Sequence, residues 1–255
     1  MVYTWVLCGM LFAAPAVAQS EAEAFLNDLW RRYKTAPALA ITVHERETDT
    51  RGETVDFGRT TIFCSERGGT RILSPTISWV HLNGQTFGDN RDFPGTYLSR
   101  LTGSAGSAAL KAMDEMFPND SIPFDARIRL AATWKEAFAQ VLKAIGDDGT
   151  LTIEDGAWGD GGAATLLRAT AADGSYASVF FIDKATGLLR GRVEQIGTGD
   201  EAKLIASVSE PQIRARLGQD IRFATVGRTG FPTYEALEQD FLERYSMPSR
   251  AALSP

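Results

Sequence analysis

The chain predicts an α+β protein built on one large, curved antiparallel sheet. Three observations carry this. Runs of strand-forming residues are separated by short turn signals at hairpin distances, which favours antiparallel meanders. Crossover helices between successive strands are missing, so parallel β-α-β winding is not expected. The helical patterns gather instead at the start, the middle and the end of the 255 residues.

The first element is an uncharged apolar run, "WVLCGMLFAAPAVAQS", ending in Ala16-Val17-Ala18. Small residues at those spacings fit a signal peptidase pocket, so residues 1–18 read as a signal peptide and the run is too short for a membrane span. Cys8 lacks a small residue before it and is not read as lipidated. A domain over residues 19–248 and a flexible tail over 249–255 complete the organisation. Ser20 and Glu23 stand at capping-box spacing ahead of a helix in which Ala22, Phe25, Leu26, Leu29 and Tyr33 recur at helical intervals. The helix stops before Pro37.

Strand signals follow in "ALAITVHERE", "ETVDFGRTTIFCSE" (Gly58 marking a bulge) and "TRILSP". The stretch "TISWVHLNGQTFGDN" is a hairpin about Asn83-Gly84, both of which tolerate the positive φ of a type I′ turn. Its register pairs Leu82 with Gln85 and Val80 with Phe87. Val80, Leu82 and Phe87 then share one face, and Ile77 and Trp79 the other. Both faces carry apolar bulk, so each needs a cover, and the sequence does not say which cover meets which face.

"SAGSAALKAMDEMF" is a helix with Leu110, Met113 and Phe117 on one side. "TWKEAFAQVLKAIG" is a second, with a Thr133/Glu136 capping box, a stripe of Trp134, Phe138, Val141, Leu142 and Ile145, and Gly146 as its stop. Strands resume in "GTLTIEDGAW", "AATLLRATA", "SYASVFFIDK", "GLLRGRVEQIG" and "KLIASVSE", joined by Asp148-Gly149, Asp173-Gly174 and Thr186-Gly187 turns. Leu189 and Val193 read as one face of their strand, and Arg190, Arg192 and Glu194 as the other. "DIRFATVG" is a candidate further strand. "PTYEALEQDFLERY" is a last helix.

Composition narrows function. Net charge is −6 and no basic run occurs, which disfavours a nucleic-acid or anionic-membrane surface. Cys64 is the one cysteine beyond the leader, so no internal disulfide is expected and the thiol reads as a small buried apolar group. Only His44 and His81 are present, and no Cys/His spacing supplies a zinc site. No cofactor or metal is expected. Asp147, Asp148, Asp155 and Asp160 fit turn chemistry better than a calcium loop. "TGSAG" lacks the first glycine of a nucleophile elbow, leaving Ser104 as a loop residue or cap.

The order of these features resembles a known family. A leader and amphipathic helix precede a long strand pair. Arg71 follows in "GGTRILSP", then the "HLNGQTF" hairpin, "FPGTYL", helices, and a hairpin written Asp-x-x-Thr-Gly-Leu from Asp183. This is similar to the LolA-like superfamily of periplasmic lipoprotein carriers, nearest to uncharacterised DUF2092-type predicted periplasmic proteins. The resemblance implies an incomplete β-barrel whose concave, apolar face is covered by helices and holds acyl chains of a lipid or lipoprotein. Candidate lining residues are Leu39, Ile41, Val43, Phe57, Phe63, Arg71, Trp79, Leu82 and Phe87 from the first strands. Met113 and Phe117 join them from a helix that either lids the cup or is plain core. Phe180, Leu189 and Val193 complete the set. The implied protein is not an enzyme but an exported carrier or sensor, with lipid or lipoprotein acyl chains, and an envelope protein besides, as partners. A filled scaffold without ligand and an undetected hydrolase are the alternatives.

Overall fold

A computed structural model describes residues 16–118, 121–159, 161–217 and 221–245. Residues 1–15, with Cys8 and most of the expected signal peptide, Asp160 and the expected flexible tail over 249–255 lie outside them. Helix α1 (Ala16–Thr35) leads into strands β1 (Ala38–Asp49), β2 (Thr54–Cys64), β3 (Thr70–Leu73), β4 (Ile77–Leu82), β5 (Gln85–Asn90) and β6 (Thr96–Leu101). Four short helices follow: α2 (Gly106–Met116), α3 (Phe124–Leu130), α4 (Trp134–Ala137) and α5 (Ala139–Ile145). Then come β7 (Thr150–Trp158), β8 (Gly162–Thr170), β9 (Tyr176–Asp183), β10 (Leu189–Ile196), β11 (Lys203–Arg214), β12 (Thr229–Phe231) and α6 (Tyr234–Tyr245).

All twelve strands form one sheet in the order β12-β6-β5-β4-β3-β2-β1-β11-β10-β9-β8-β7. Every pairing is antiparallel except β12 on β6. The sheet is not closed on itself, and helices lie against one face, here called inner. This is the α+β class and the half-barrel layout that the LolA-like resemblance implied. Two strands join the expected set: β6, from "TYLSRL", and β12. Of the strand expected at "DIRFATVG", Asp220 lies outside the described residues and 221–227 form a strap without ladder pairing; pairing is taken up by Thr229, Gly230 and Phe231.

The inner face is apolar because alternate residues of each strand are. Ile41, Ile62, Ile72, Trp79 and Leu98 stand in register across β1 to β6, all nearly inaccessible. Helix α2 lays Met113, Met116 and Phe117 on them, and the Trp79 and Phe117 rings meet edge-to-face at 6.0 Å. Gly88 permits that approach, since a Cβ there would stand 2.7 Å from Phe117 Cε2. On the other wing Phe138 packs between Phe124 and Phe180, with centroids 4.9 and 5.5 Å away. The single helix expected over residues 134–145 breaks at this residue (φ −100°, ψ 11°), which turns its ring into the core. Thr133 still caps α4, accepting from the Glu136 amide.

The outer face answers the hairpin's open question. Asn83 and Gly84 adopt φ 52° and 77°, and Val80 pairs with Phe87 as expected. Phe63, Arg71, Val80 and Phe87 form one outer row. The strap covers it: Phe223 stacks on Phe87 at 4.7 Å, and Arg228 pairs with Asp89 at 2.9 Å. At the far wing Trp158 folds over Gly191 against Phe181, centroids 4.8 Å apart.

Helix α1 begins at Ala16, upstream of the expected Ser20 cap, so Ser20 lies within it. Its Ala22, Leu26, Leu29 and Tyr33 stripe is buried. The ends of α1 and α3 satisfy each other. Arg129 donates to the carbonyls of Tyr33, Lys34 and Ala36, and Lys34 Nζ donates to Leu130 O at 3.2 Å. These are the acceptors a helix terminus leaves open. Gly88→Ala is expected to lower unfolding free energy by about 1–3 kcal/mol through overpacking against Phe117, read as a lower urea midpoint with unchanged slope.

Candidate functional site

The helices do not cover the whole inner face. Over β1, β11, β10 and β9 they leave a half-open cleft of about 730 Å³. Its floor is two rows of the sheet. Glu45, Ser207 and Arg192 stand opposite one another in the first, and Ile205 and Glu194 in the second. The wall is made by Pro118, Ser121, Ile122, Pro123 and Phe124, together with Gln140 and Ala144 of α5.

Arg192 organises the floor. Its side chain is 18% exposed and forms an ion pair with Glu194, itself 12% exposed. Nε donates to Ser178 Oγ and Nη2 to Tyr176 Oη, both at 3.2 Å. The guanidinium lies over the Phe124 and Phe180 rings, 5.1 and 5.2 Å from their centroids. Burial pushes the Tyr176 hydroxyl up to about 12. Burial also raises the Glu45 carboxyl; Arg192 opposes this, and Glu194 and Glu47 add to it. Arg127 is held by both oxygens of Asp114, at 2.6 and 3.1 Å.

At the inner end sits Asp125, 1% exposed. Tyr33 Oη donates to Oδ1 and Ser209 Oγ to Oδ2, the latter at 2.8 Å. One carboxyl thus ties α1, α3 and β11 together. Burial pushes it up to about 6, with the hydrogen bonds from Tyr33 and Ser209 opposing.

The fourteen residues expected to line a cup divide between two faces and a rim. Leu39, Ile41, Val43, Trp79, Met113, Phe117, Phe180 and Leu189 lie in the inner core. Phe63, Arg71, Leu82 and Phe87 face outward toward the strap, and Val193 packs outward with Trp158 and Phe181. Phe57 is 47% exposed. Of the set, Val43 borders the cleft. The shared face expected for Leu189 and Val193 is corrected by a bulge between Leu189 and Gly191, which puts Leu189 inward with Arg192 and Glu194. Sequence reasoning missed Glu45, Tyr176, Ser207 and Asp125. For Glu45, Tyr176 and Ser207 the signal available was polar residues at alternate positions of otherwise apolar strands; Asp125, on α3, offered none of that kind.

The other chemical candidates are placed apart from the cleft. His81 is buried on β4, with Nδ1 3.1 Å from Thr86 Oγ1, and burial lowers its pKa. Ser104 lies in an exposed turn before α2, not at its cap. Cys64 is buried and free, its thiol pushed up to about 11 by burial. Among the described residues no group of three or more His, Cys, Asp or Glu side chains could hold a metal, and no helix is long and apolar enough to cross a membrane.

Fold and cleft together define an α+β protein with an open antiparallel sheet and a ligand-sized hollow on its helix-covered face. No family model matches the chain, and no curated protein matches it significantly. Among solved structures it is similar to an uncharacterised conserved protein from Thermus thermophilus, at TM-score 0.47 and 9% identity over 83% of this chain and 99% of that one. It is similar to a chain of the MucA/MucB complex of Pseudomonas aeruginosa at TM-score 0.42 and 13% identity, covering 80% of this chain and 61% of that one. A LolA superfamily protein from Nitrosomonas europaea aligns at TM-score 0.31 and 7% identity, covering 78% and 94%. Likeness at this level carries no functional weight; the cleft's own geometry does.

Asp125 sets a pH dependence. An unfolded aspartate titrates near about 3.9, below the folded value, so the protonated form favours the fold. That stability is fully present below about pH 4 and lost as pH rises through about 6. Urea unfolding at both ends of this window should show the native protein gaining on the order of 2–3 kcal/mol on acidification relative to Asp125→Asn. Equal pH slopes for the two proteins would contradict this.

Proposed function

We propose that the protein is a non-catalytic, exported binding protein that holds the apolar part of a lipid or lipoprotein, in a carrier or sensor role. The observation that carries this is the cleft: an opening of about 730 Å³ on the helix-covered face. Its size falls among small-molecule sites, and its lining joins apolar side chains to polar and charged ones such as Glu45, Tyr176 and Arg192. Val43, Ile122, Phe124, Ile196 and Ile205 supply the apolar sides. Ten methylenes buried there would contribute about 8 kcal/mol before ordering costs, enough for useful affinity without any covalent step. The leader-like N-terminal run supports export to the periplasm.

A second reading, an envelope scaffold without a ligand, draws on the same inner face. Trp79, Phe117, Phe138 and Phe180 fill most of it with protein. Occupancy of the cleft separates the two. Mild purification followed by native mass spectrometry should reveal a bound lipid, and an uncharged, environment-sensitive acyl dye should bind to stripped protein. Ile205→Trp, which fills the floor, should weaken dye binding by at least about tenfold, the scale of one lost apolar contact patch. Apoprotein only, with no dye uptake, favours the scaffold.

A further inference from the structure

We infer that the ligand's polar end is cationic, an amine or ammonium group held at Glu45. This deepens the binding reading above and rests on it. The charges around the cleft point to it. Four acidic and two basic side chains line it. Both basic ones are engaged: Arg127 by Asp114, and Arg192 by Glu194, Ser178 and Tyr176. Beyond the lining, Glu47 is held by Lys203 at 2.7 Å. Asp125 is held by Tyr33 and Ser209. What remains is the Glu45 carboxylate, which has no hydrogen-bond or ion-pair partner among the described residues although burial raises its pKa.

Consider the three kinds of head group in turn. An anion would face Glu45 and Glu194 with no uncommitted cation to meet it, and like charges across a desolvated site are repelled. An uncharged head would leave Glu45 as it stands, partly dehydrated and unmatched. A cation supplies the missing charge-assisted hydrogen bond. The apolar body then lies along Ile205 and Ile196 on the floor, beneath Ile122 and Phe124.

The test ranks three amphiphiles of equal chain length (dodecylamine, dodecanol and dodecanoate) by displacement of an uncharged acyl dye from the full chain. The amine should displace the dye about tenfold better than the alcohol, the ratio expected of one charge-assisted hydrogen bond. Dodecanoate should be the weakest. In Glu45→Gln, an isosteric change, the amine's advantage over the alcohol should vanish. The ranking in the native protein needs no variant and stands if Glu45→Gln does not fold. Dye uptake with dodecanoate as good as the amine, or an amine preference surviving in Glu45→Gln, overturns the cationic assignment and leaves the binding reading intact. No uptake of the dye or of any amphiphile overturns the binding reading and this inference with it.

Discussion

A twelve-stranded sheet with bulky side chains on both faces has to be covered twice, and the rest of the molecule follows from that constraint. On the inner side the helices do it. On the outer side the chain returns as the strap, stacking Phe223 on Phe87 and pairing Arg228 with Asp89. Each cover is local. Helix α2 serves β4 and β5, α5 serves β8 and β9, and Trp158 closes the outer side of the far wing over a glycine. A stretch that the inner cover does not reach, over β1, β11, β10 and β9, is the cleft.

That stretch is also where the inner face changes character. Ile41 and Val43 on β1 give way to Glu45 and Glu47 at the same alternation, and on β10 Leu189 gives way to Arg192 and Glu194. An apolar floor left uncovered would be a standing liability in water, whereas a floor with fixed charges remains hydrated when empty. Arg192 is costly to desolvate alone. Its ion pair, two hydrogen bonds and two ring faces offset that cost.

Much of the layout was legible from turn chemistry. Asn83-Gly84 announced its hairpin because few other residue pairs accept that backbone, and the Asp-x-x-Thr-Gly-Leu turn closes as read, with Asp183 accepting from the Thr186 amide at 2.7 Å. Alternation on β4 and β5 was legible for the same reason. What failed to show was whatever depends on distant partners. The Leu189–Gly191 bulge carries no local mark beyond Gly191 itself, so one face assignment inverted. The break at Phe138 answers to rings fourteen residues upstream and on another strand. The strap has strand-like residues but stacks Phe223 on Phe87 of the outer face and makes no ladder. The site was hardest, because polar residues on a strand read as a wet surface. Arg192 and Glu194 are largely enclosed, with Ile122, Pro123 and Phe124 of a distant stretch lining the same cleft.

The exchange of caps between α1 and α3 bears on the order in which the molecule assembles. The final turn of α1 draws its donor from Arg129, 95 residues further along from Lys34. β1 likewise finds one of its two neighbours only in β11. The N-terminal helix therefore finishes late, after the middle of the polypeptide exists and has docked, and a chain governed by such remote closures folds slowly. Early truncation products would leave α1 as an amphipathic segment with its hydrophobic stripe bare, a natural target for chaperones.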